Sequence, residues 1–460
     1  MGETLTDRLA AIVGAAHVST DPDVLAGRTI DHTGRYRGRA SALVRPGSAD
    51  EVAAVLRACL DAGVFVTVQG GRTSLVAGTV PEHDDVLLST ERLRDVGEVD
   101  VVERRVQVGA GVTLANVQRA AAATGLLFGV DLAARDSATV GGMASTNAGG
   151  LRTVRYGNMG EQVIGLDVAL PDGSVVHRHS RVRRDNTGYD LASLFVGAEG
   201  TLGVITALDL RLHPTPRQRV TAICGFADLE ALVETGRTFR DMDGIAALEL
   251  IDARASALTA EQLGVAAPVE GAWQLLIELA GDWGHHPLAA DDQTDRLADA
   301  LESARLCGEP AVGVDANAQQ RLWQVRESVA EILGVFGPPL KFDVSLPLSG
   351  IEAFAVESGE LVAMHAPDAI PVLFGHIGEG NLHLNLLRCA LDADRESELY
   401  SAMMALIARS GGNVSSEHGV GSRKRDYVGM SRTDADIAAM RKVKAAFDPS
   451  GYLNAAVLFG

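Results

Sequence analysis

The chain lacks the residues that mark secreted, iron–sulfur and membrane-spanning proteins. Its 460 residues include only four cysteines, at positions 59, 224, 307 and 389, and no two form a Cys-x-x-Cys pair. This spacing excludes a disulfide framework, a zinc–thiolate site and an iron–sulfur cluster. No run approaches about 18 uncharged apolar residues, and the N-terminus lacks the apolar core of a signal peptide. We therefore expect no transmembrane segment, and a reducing cytoplasm as the compartment.

Positive charge is also scarce. Lys and Arg number 41 against 60 Asp and Glu, a formal net charge of −19. This balance argues against nucleic acid or an anionic membrane as the main partner, although a small anionic substrate can still bind in a locally basic pocket. Hydrophobic residues make up 47% of the chain, and a chain of this length is expected to form two or three domains.

Glycine, in contrast, is abundant: there are 50, and many fall in three segments before residue 216. Segment 69–75 follows an expected strand, and its consecutive backbone amides could cradle a pyrophosphate, although a tight structural turn is an equal alternative. Segments 138–150 and 196–205 combine glycine with small side chains, which lets a flat ring or a dinucleotide approach the backbone. For 138–150 we expect a loop, because four glycines disfavour both helix and strand. The three segments together predict an extended bound cofactor.

The periodicity of apolar residues changes after Pro214 and Pro216. Before them, short strands alternate with helices such as 48–62, where Ser48 is the expected cap. After them, strands such as 273–279 and 341–346 alternate with long helices such as 293–304, the pattern of an α+β domain. We therefore expect a domain boundary near residue 216.

Segment 374–387 predicts a β-hairpin that carries a metal site. If Glu379 and Gly380 form a two-residue turn, His376 and His383 lie directly opposite each other on one face, with Asn385 on the same face. A glycine-rich turn with two incidental histidines is the alternative.

A second polar cluster, 415–421, favours the metal site. Its Glu417 could supply a third ligand, and His418 could act as a base beside the metal. Two histidines and one carboxylate with open positions are a common ligand set for a catalytic divalent metal. Zinc is the favoured ion, with manganese or cobalt as alternatives.

The order of these motifs resembles the FAD-linked 2-hydroxy-acid dehydrogenases of the vanillyl-alcohol-oxidase superfamily. That group includes D-lactate dehydrogenases, D-2-hydroxyglutarate dehydrogenase and the flavin subunit of glycolate oxidase. The resemblance runs from about residue 31 to 454. It implies an α+β fold, with a two-lobed FAD-binding domain of the vanillyl-alcohol-oxidase type followed by an α+β substrate-binding cap domain. The implied bounds are 1–216 for the FAD domain (lobes about 38–100 and 101–216), 217–445 for the cap, which also binds the metal, and 446–460 for a tail that returns to the FAD domain.

The resemblance also implies which residues contact FAD. Because loop 69–75 contains no histidine, we expect the FAD to be bound non-covalently. The implied contacts come from the three glycine segments and the C-terminus: Gly70, Gly71, Arg72, Thr73, Ser74, Leu75, Asp136, Thr139, Gly141, Gly142, Ser145, Asn147, Gly149, Glu199, Gly200, Gly203, Val204, Ile205 and Asn454.

The implied reaction is the metal-assisted oxidation of a D-2-hydroxy acid, such as D-lactate or D-2-hydroxyglutarate, to the 2-oxo acid. The implied roles are metal ligation by His376, His383 and Glu417, general base catalysis by His418, and substrate binding by Arg326, Lys341 and Asn385. Without the resemblance, a salt bridge on a helix surface would be the preferred interpretation of Arg326.

Four positions depart from the family pattern. Glu379 replaces an aspartate in the hairpin turn, and Arg72 replaces a glycine in the pyrophosphate loop. Ala330 stands where relatives that act on hydroxyglutarate have a hydroxyl, so recognition of a second carboxylate is in doubt. The terminal Asn-Pro-Gly-Lys is Asn-Ala-Ala-Val from Asn454, which removes a lysine.

Two other functions are compatible with the sequence. One is a flavin enzyme without net oxidation that resembles alkylglycerone-phosphate synthase, but that group has a run of histidines where Ser416, Glu417 and His418 stand. The other is a subunit that only relays electrons, which would not need a metal or a base. For the dehydrogenase, the resemblance implies an electron-transfer protein or a quinone as acceptor, and the sequence is compatible with a homodimer.

Overall fold

The computed structural model of the chain describes residues 3–179, 182, 185–281 and 289–459, with only the backbone at 289–292. The chain divides into two compact units. The first comprises Met1–Gly149, Gly157–Thr215 and Glu417–Gly460, and the second comprises Gly150–Tyr156 and Pro216–Ser416.

The strands of the described residues are short in the first unit and longer in the second. They are β1 (Val18–Ser19), β2 (Ala40–Val44), β3 (Val66–Gln69), β4 (Asp84–Ser89), β5 (Arg105–Gly109), β6 (Leu126–Leu127), β7 (Val163–Ala169), β8 (Val175–Arg178), β9 (Val204–Arg211), β10 (His213–Pro214), β11 (Gln218–Phe226), β12 (Ile245–Asp252), β13 (Trp273–Gly281), β14 (Ala311–Gly313), β15 (Leu340–Ser345), β16 (Ile370–His376) and β17 (Asn381–Leu387).

The helices of the same residues vary from single turns to about five turns. They are α1 (Leu5–Val13), α2 (Pro22–Arg28), α3 (Ala49–Ala62), α4 (Leu114–Ala122), α5 (Val140–Ser145), α6 (Thr153–Tyr156), α7 (Met159–Gln162), α8 (Leu191–Phe195), α9 (Leu229–Arg240), α10 (Ala253–Leu263), α11 (Ala289–Leu301), α12 (Ala316–Val335), α13 (Ile351–His365), α14 (Ala393–Arg409) and α15 (Asp434–Phe447).

The first unit contains two four-stranded sheets within its described residues, in the orders β1-β2-β4-β3 and β5-β9-β7-β8. Helix α3 connects β2 to β3 and begins at Ser48, whose side chain accepts the N–H of Glu51 as the sequence predicted. Its apolar side packs into one core with both sheets, where Leu56 of α3 joins Leu88 of β4 and Leu208 of β9. Of the glycine segments, 69–75 follows β3 and 196–205 leads into β9.

The second unit is built on one antiparallel sheet, with the order β14-β11-β13-β12-β16-β17-β15 among its described strands. Helix α12 packs on one face of this sheet, where Val325 and Val329 join Ile251 and Phe374 in an apolar cluster. The strands are apolar on both faces, so each polar side chain within them must find a partner in the interior.

Residues 417–445, which we expected in the cap domain, cluster instead with the first unit. The carboxylate of Glu199 accepts hydrogen bonds from the backbone N–H groups of Val420 and Gly421, both at 2.8 Å. These bonds join positions more than 200 residues apart, so no local pattern in the sequence indicates them.

Segment Gly150–Tyr156, which we expected in the FAD domain, clusters with the second unit. Its Arg152 forms an ion pair with Glu278 on β13 at 3.0 Å, and its Arg155 donates to the carbonyl of Ala280. The two arginines therefore tie this segment to the sheet of the second unit.

The expectation of a helix-free loop at 138–150 is wrong, because Val140–Ser145 forms the short helix α5. A Cβ atom added to Gly141 would lie 2.6 Å from the Cβ of Ala110, and the Gly141 N–H donates to the Ala110 carbonyl. Glycine stands in this helix because another backbone approaches closely.

Within the described residues, no helix combines the length and the apolar character that crossing a membrane requires.

The C-terminal tail of the first unit is anchored by a half-buried ammonium group. Nζ of Lys444 on α15 donates to the carboxylate of Asp448 at 2.6 Å and to the carbonyls of Thr201 and Leu453 at 2.7 and 2.8 Å. Asp448 is only 2% exposed, so its charge depends on this lysine and on nearby backbone N–H groups.

We expect Lys444→Met to destabilise the protein by about 3 kcal/mol, because it leaves the Asp448 carboxylate buried without its cation. The melting temperature should fall by at least about 5 °C. Lys442→Met, on the exposed side of the same helix, should leave it unchanged. Equal melting temperatures for the two variants would show that the ion pair does not anchor the tail.

Candidate functional site

In the first unit, the predicted pyrophosphate loop packs directly against the second glycine segment. A Cβ on Gly71 would lie 2.0 Å from the carbonyl oxygen of Ser137, and one on Gly70 would lie 2.5 Å from Oγ1 of Thr139. The Gly71 N–H also donates to this hydroxyl at 3.2 Å. Glycine is therefore required at both positions for the two loops to touch.

The backbone amides that follow have no acceptor in the part of the protein that the structure describes. Among the described residues, no oxygen accepts a hydrogen bond from the N–H groups of Arg72, Thr73, Ser74 or Leu75. Arg72 has φ +56°, a left-handed conformation that suits the glycine of the family pattern. Successive unpaired amides beside such a residue form an anion-binding concavity, so this loop fits a pyrophosphate.

The Arg72 side chain already makes a hydrogen bond to another part of the first unit. Its Nη1 donates to the carbonyl of Gly27 at 2.6 Å, and partial burial and the neighbouring Arg28 lower the pKa of its guanidinium. The anion-binding character of the loop therefore rests on its backbone.

Glu199 connects several predicted FAD-binding segments of the first unit. Its backbone N–H donates to the Ser145 carbonyl at 2.7 Å, and its own carbonyl accepts from Nδ2 of Asn454 at 2.8 Å. Its carboxylate holds the backbone N–H groups of Val420 and Gly421. Burial raises the pKa of this carboxyl group, and the two N–H groups oppose that rise. The side chain of Glu199 therefore has a structural role, which is to hold the backbone at Val420 and Gly421.

The remaining predicted FAD residues lie on or beside the same loops. Thr139 is the residue before α5, Asn147 has φ +51° and accepts from the Gly160 N–H, and Asp136 is exposed. Five others lie inside helix α5 or strand β9 or in buried backbone: Gly141, Gly142, Gly149, Val204 and Ile205. Gly200 and Gly203 closely approach Asn454 and Val168.

In the second unit, ionisable side chains form a row across five neighbouring strands. The registers place Glu278 of β13, Glu249 of β12, His376 of β16, His383 of β17 and Asp343 of β15 on one face of the sheet. These residues are at most 8% exposed. Such a row in an apolar sheet is costly unless its members hold each other or a ligand.

The predicted register of the hairpin is wrong, although His376 and His383 do lie on one face of the sheet, as expected. His376 lies opposite Asn381, and His383 lies opposite Phe374, because residues 377–380 form a 3₁₀ turn that ends at Gly380 with φ +71°. The pairing is therefore shifted by two residues, which keeps both histidines on one face. Their ring centroids are 5.3 Å apart, with the rings nearly perpendicular.

His376 is oriented by a buried ion pair. Its Nδ1 lies 2.6 Å from Oε1 of Glu249, and Oε2 of that carboxylate accepts from Nε of Arg326 at 2.7 Å. Burial alone would raise the pKa of Glu249, but the charges of His376 and Arg326 outweigh it and lower this pKa below its usual value. Arg326, a predicted substrate ligand, is thus a buried partner of Glu249 and also lies 4.7 Å over the Phe374 ring.

His383 lies beside a second carboxylate. Its Nδ1 is 3.8 Å from Oδ1 of Asp343, whose Oδ2 accepts from the backbone N–H of Ser416 at 2.9 Å. Within the second unit, His383 and Asp343 are therefore two side chains that could hold a metal ion. Imidazole and carboxylate donors of this kind suit a divalent metal.

Two further predicted substrate residues lie at the same end of the row. Lys341 is opposite Asn385 in the register of β15 and β17, one step along the face from Asp343 and His383. Burial lowers the pKa of the Lys341 ammonium, and Nδ2 of Asn385 donates to the His383 carbonyl at 3.3 Å. A half-buried cation one step along the face from His383 suits a small anion.

The sequence prediction missed Glu249 and Asp343. Each is an acid in the middle of an apolar strand, in Leu-Glu-Leu and Phe-Asp-Val, and this interruption is the signal that could have found them. Glu278, in Ile-Glu-Leu, has the same context and pairs with arginines and with Nε1 of Trp323.

Family models match most of the chain. The FAD binding domain matches residues 40–178, and the C-terminal domain of FAD linked oxidases matches residues 215–458.

Full-length relatives are equally clear. The chain is 37% identical to the mitochondrial D-2-hydroxyglutarate dehydrogenase of Bos taurus over 97% of its own length and 82% of the relative. It is 33% identical to the D-2-hydroxyglutarate dehydrogenase of Stutzerimonas stutzeri strain A1501 over 99% of its length and 98% of the relative. The fold also matches a crystal structure of p-cresol methylhydroxylase with a TM-score of 0.79 and 16% identity, covering 98% of this chain and 96% of the other. The chain therefore belongs to the FAD-linked oxidase family, in the group of FAD-dependent oxidoreductases that act on D-2-hydroxy acids.

Proposed function

We propose that this protein oxidises a D-2-hydroxy acid such as D-lactate or D-2-hydroxyglutarate to the 2-oxo acid, with a divalent metal at the substrate. The observation that carries the proposal is the buried row in the second unit, where two histidines each have a carboxylate beside Nδ1. One of them, His383, lies next to Asn385 and Lys341 on the same face. Relatives named for D-2-hydroxyglutarate support the substrate class.

His376, His383 and Glu417 are the proposed metal ligands, with zinc favoured over manganese or cobalt. A divalent metal, when bound, lowers the pKa of a coordinated hydroxyl group and makes its proton easier to remove. The Glu249 carboxylate supports the assignment of His376, because a hydrogen bond at Nδ1 leaves Nε2 of this imidazole for the metal. Asp343 is an alternative oxygen ligand.

His418 is the proposed base for the substrate hydroxyl. A neutral imidazole accepts a proton near pH 7. Its Nε2 lies 3.6 Å from Oε1 of Glu417, and both side chains are 19% exposed, so an incoming small molecule can reach them. Lys341 and Asn385 would hold the substrate carboxylate, together with the guanidinium nitrogens that Arg326 does not use on Glu249.

FAD, when bound, accepts the hydride from the substrate carbon. In the first unit, the unpaired amides of loop 72–75 would hold its pyrophosphate, and the backbone of 139–149 and 199–205 would hold the rest. We also propose an electron-transfer protein or a quinone as the final acceptor, a homodimer, and the cytoplasm as the location; these three rest on the sequence and the resemblance.

The substrate class is tested with purified holoprotein and an artificial electron acceptor dye. We expect D-lactate or D-2-hydroxyglutarate to reduce the dye and their L enantiomers to be poor substrates. The ratio of kcat/KM between the two D acids identifies the natural side-chain class, since Ala330 provides no hydroxyl for a distal carboxylate. A failure of every D-2-hydroxy acid to reduce the flavin of FAD- and metal-loaded protein would refute the function.

The mode of FAD binding is tested by acid precipitation. Because loop 69–75 contains no histidine, we expect the yellow colour in the supernatant and a colourless pellet. A flavin that stays with the denatured polypeptide would show a covalent link at another residue.

The division of labour among the histidines is tested by single substitutions. His383→Ala should lose bound metal and turnover together, since it removes a ligand. His418→Ala should keep metal and FAD but lower the rate of single-turnover flavin reduction by about 10²–10⁴. His365→Ala, at the end of α13, is a control that should change neither quantity.

Three outcomes separate the interpretations. Loss of metal in His418→Ala would make His418 a ligand and not the base. A wild-type rate of flavin reduction in that variant would place the base elsewhere, and full metal content in His383→Ala would remove that residue from the ligand set.

A further inference from the structure

The second unit contains two buried carboxylates of similar surroundings, and only one of them contacts a histidine. Glu249 and Glu278 lie on neighbouring strands β12 and β13, on the same face of the sheet, and both are at most 1% exposed. Glu249 receives Arg326 and one ring N–H donor, Glu278 receives two arginines and one ring N–H donor, and each bonds a residue of helix α12. The ring donor to Glu278 is the indole of Trp323, whereas the ring donor to Glu249 is the imidazole of His376.

The distance between Glu249 and His376 determines which nitrogen of the imidazole carries a proton. An ionised carboxylate can only accept hydrogen bonds. At 2.6 Å from Oε1, Nδ1 of His376 must therefore be the N–H donor. In the neutral imidazole this leaves Nε2 with a lone pair, which is the form that ligates a metal. The same bond fixes the ring plane, so Nε2 has one direction in which to point.

Arg326 holds the other oxygen of the Glu249 carboxylate. Its Nε donates to Oε2 at 2.7 Å, and Arg326 and His376 are both at most 5% exposed. A carboxylate buried in an apolar sheet needs hydrogen-bond donors, and with one donor on each oxygen its plane has a fixed orientation. Arg326 therefore acts on His376 through Glu249.

We propose that Glu249 is a positioning residue that presents Nε2 of His376 to the metal, and that Arg326, bonded to the other carboxylate oxygen, holds Glu249 in place for this role. The inference rests on the proposed function, because it requires His376 to be a metal ligand. It adds to that function a carboxylate behind the ligand, which raises the basicity of the imidazole and strengthens its bond to the metal.

The experiment compares Glu249→Gln with Glu278→Gln in FAD-loaded protein. Both changes remove a buried negative charge that holds α12 to the sheet, so both should lower the melting temperature. The dissociation constant for Zn²⁺ is then measured by competition with a chromophoric chelator, in protein that has first been stripped of metal. We expect Glu249→Gln to raise this constant by about 10–100-fold, the usual effect of removing such a partner, and Glu278→Gln to leave it within about threefold of wild type.

A milder variant covers the case in which Glu249→Gln does not fold. Glu249→Asp keeps the charge but withdraws the carboxylate from Nδ1 by the length of one methylene group. We expect it to fold and to raise the Zn²⁺ dissociation constant by about tenfold. Co²⁺ as a second probe should show a changed absorption spectrum in this variant, since the imidazole is no longer held in one orientation.

The outcomes separate the inference from the function on which it rests. If wild type binds Zn²⁺, His383→Ala does not, and the Glu249 variants bind as tightly as wild type, the inference is wrong and the metal site stands. Equal weakening in the Glu249 and Glu278 variants would also overturn it, because both would then act through the general stability of the sheet. If wild type itself binds no divalent metal, the proposed metal site and this inference fail together.

Discussion

The need to compensate charge inside an apolar sheet is the constraint on which the second unit depends. Strands β12 and β13 place Glu249 and Glu278 where water cannot reach them, and an unpaired carboxylate there would destabilise the fold by several kcal/mol. Arg326 and Trp323, three residues apart on α12, each bond one of these acids. Helix α12 is therefore held on the sheet by these two hydrogen bonds as well as by its apolar contacts. The bond to Glu249 also brings Arg326 close to His376, because both side chains bond the same carboxylate.

Local patterns predicted the elements well and their long-range partners poorly. Helix α3 begins at its predicted cap, Ser48, because capping depends on residues three positions apart. The face shared by His376 and His383 was predictable from the strand period of two, but the register was not, since a four-residue turn and a two-residue turn both suit the sequence Ile-Gly-Glu-Gly. Arg326 shows the limit clearly: it has the sequence of a helix-surface residue and lies in the interior, where Glu249, 77 positions earlier, provides its counter-charge.

Glycine was informative for a reason other than the expected one. We associated the glycine segments with a cofactor lying against the backbone, and the free amides of 72–75 fit that idea. At Gly71 and Gly141, however, the space that a side chain would need is occupied by other backbone, at Ser137 and Ala110. Close packing of loops and close approach of a ligand impose the same composition, so a sequence alone does not separate them. Helix α5 was missed for this reason.

The hairpin between β16 and β17 has a consequence for how its turn can vary. Its two histidines are related by sharing a face and not by standing opposite each other. Inserting or deleting two residues in the turn would slide one strand along the other and still leave both imidazoles facing α12, whereas a change of one residue would send one of them to the opposite side of the sheet. Homologous chains with turns of different length can thus keep this pair of side chains, provided that the difference in length is even.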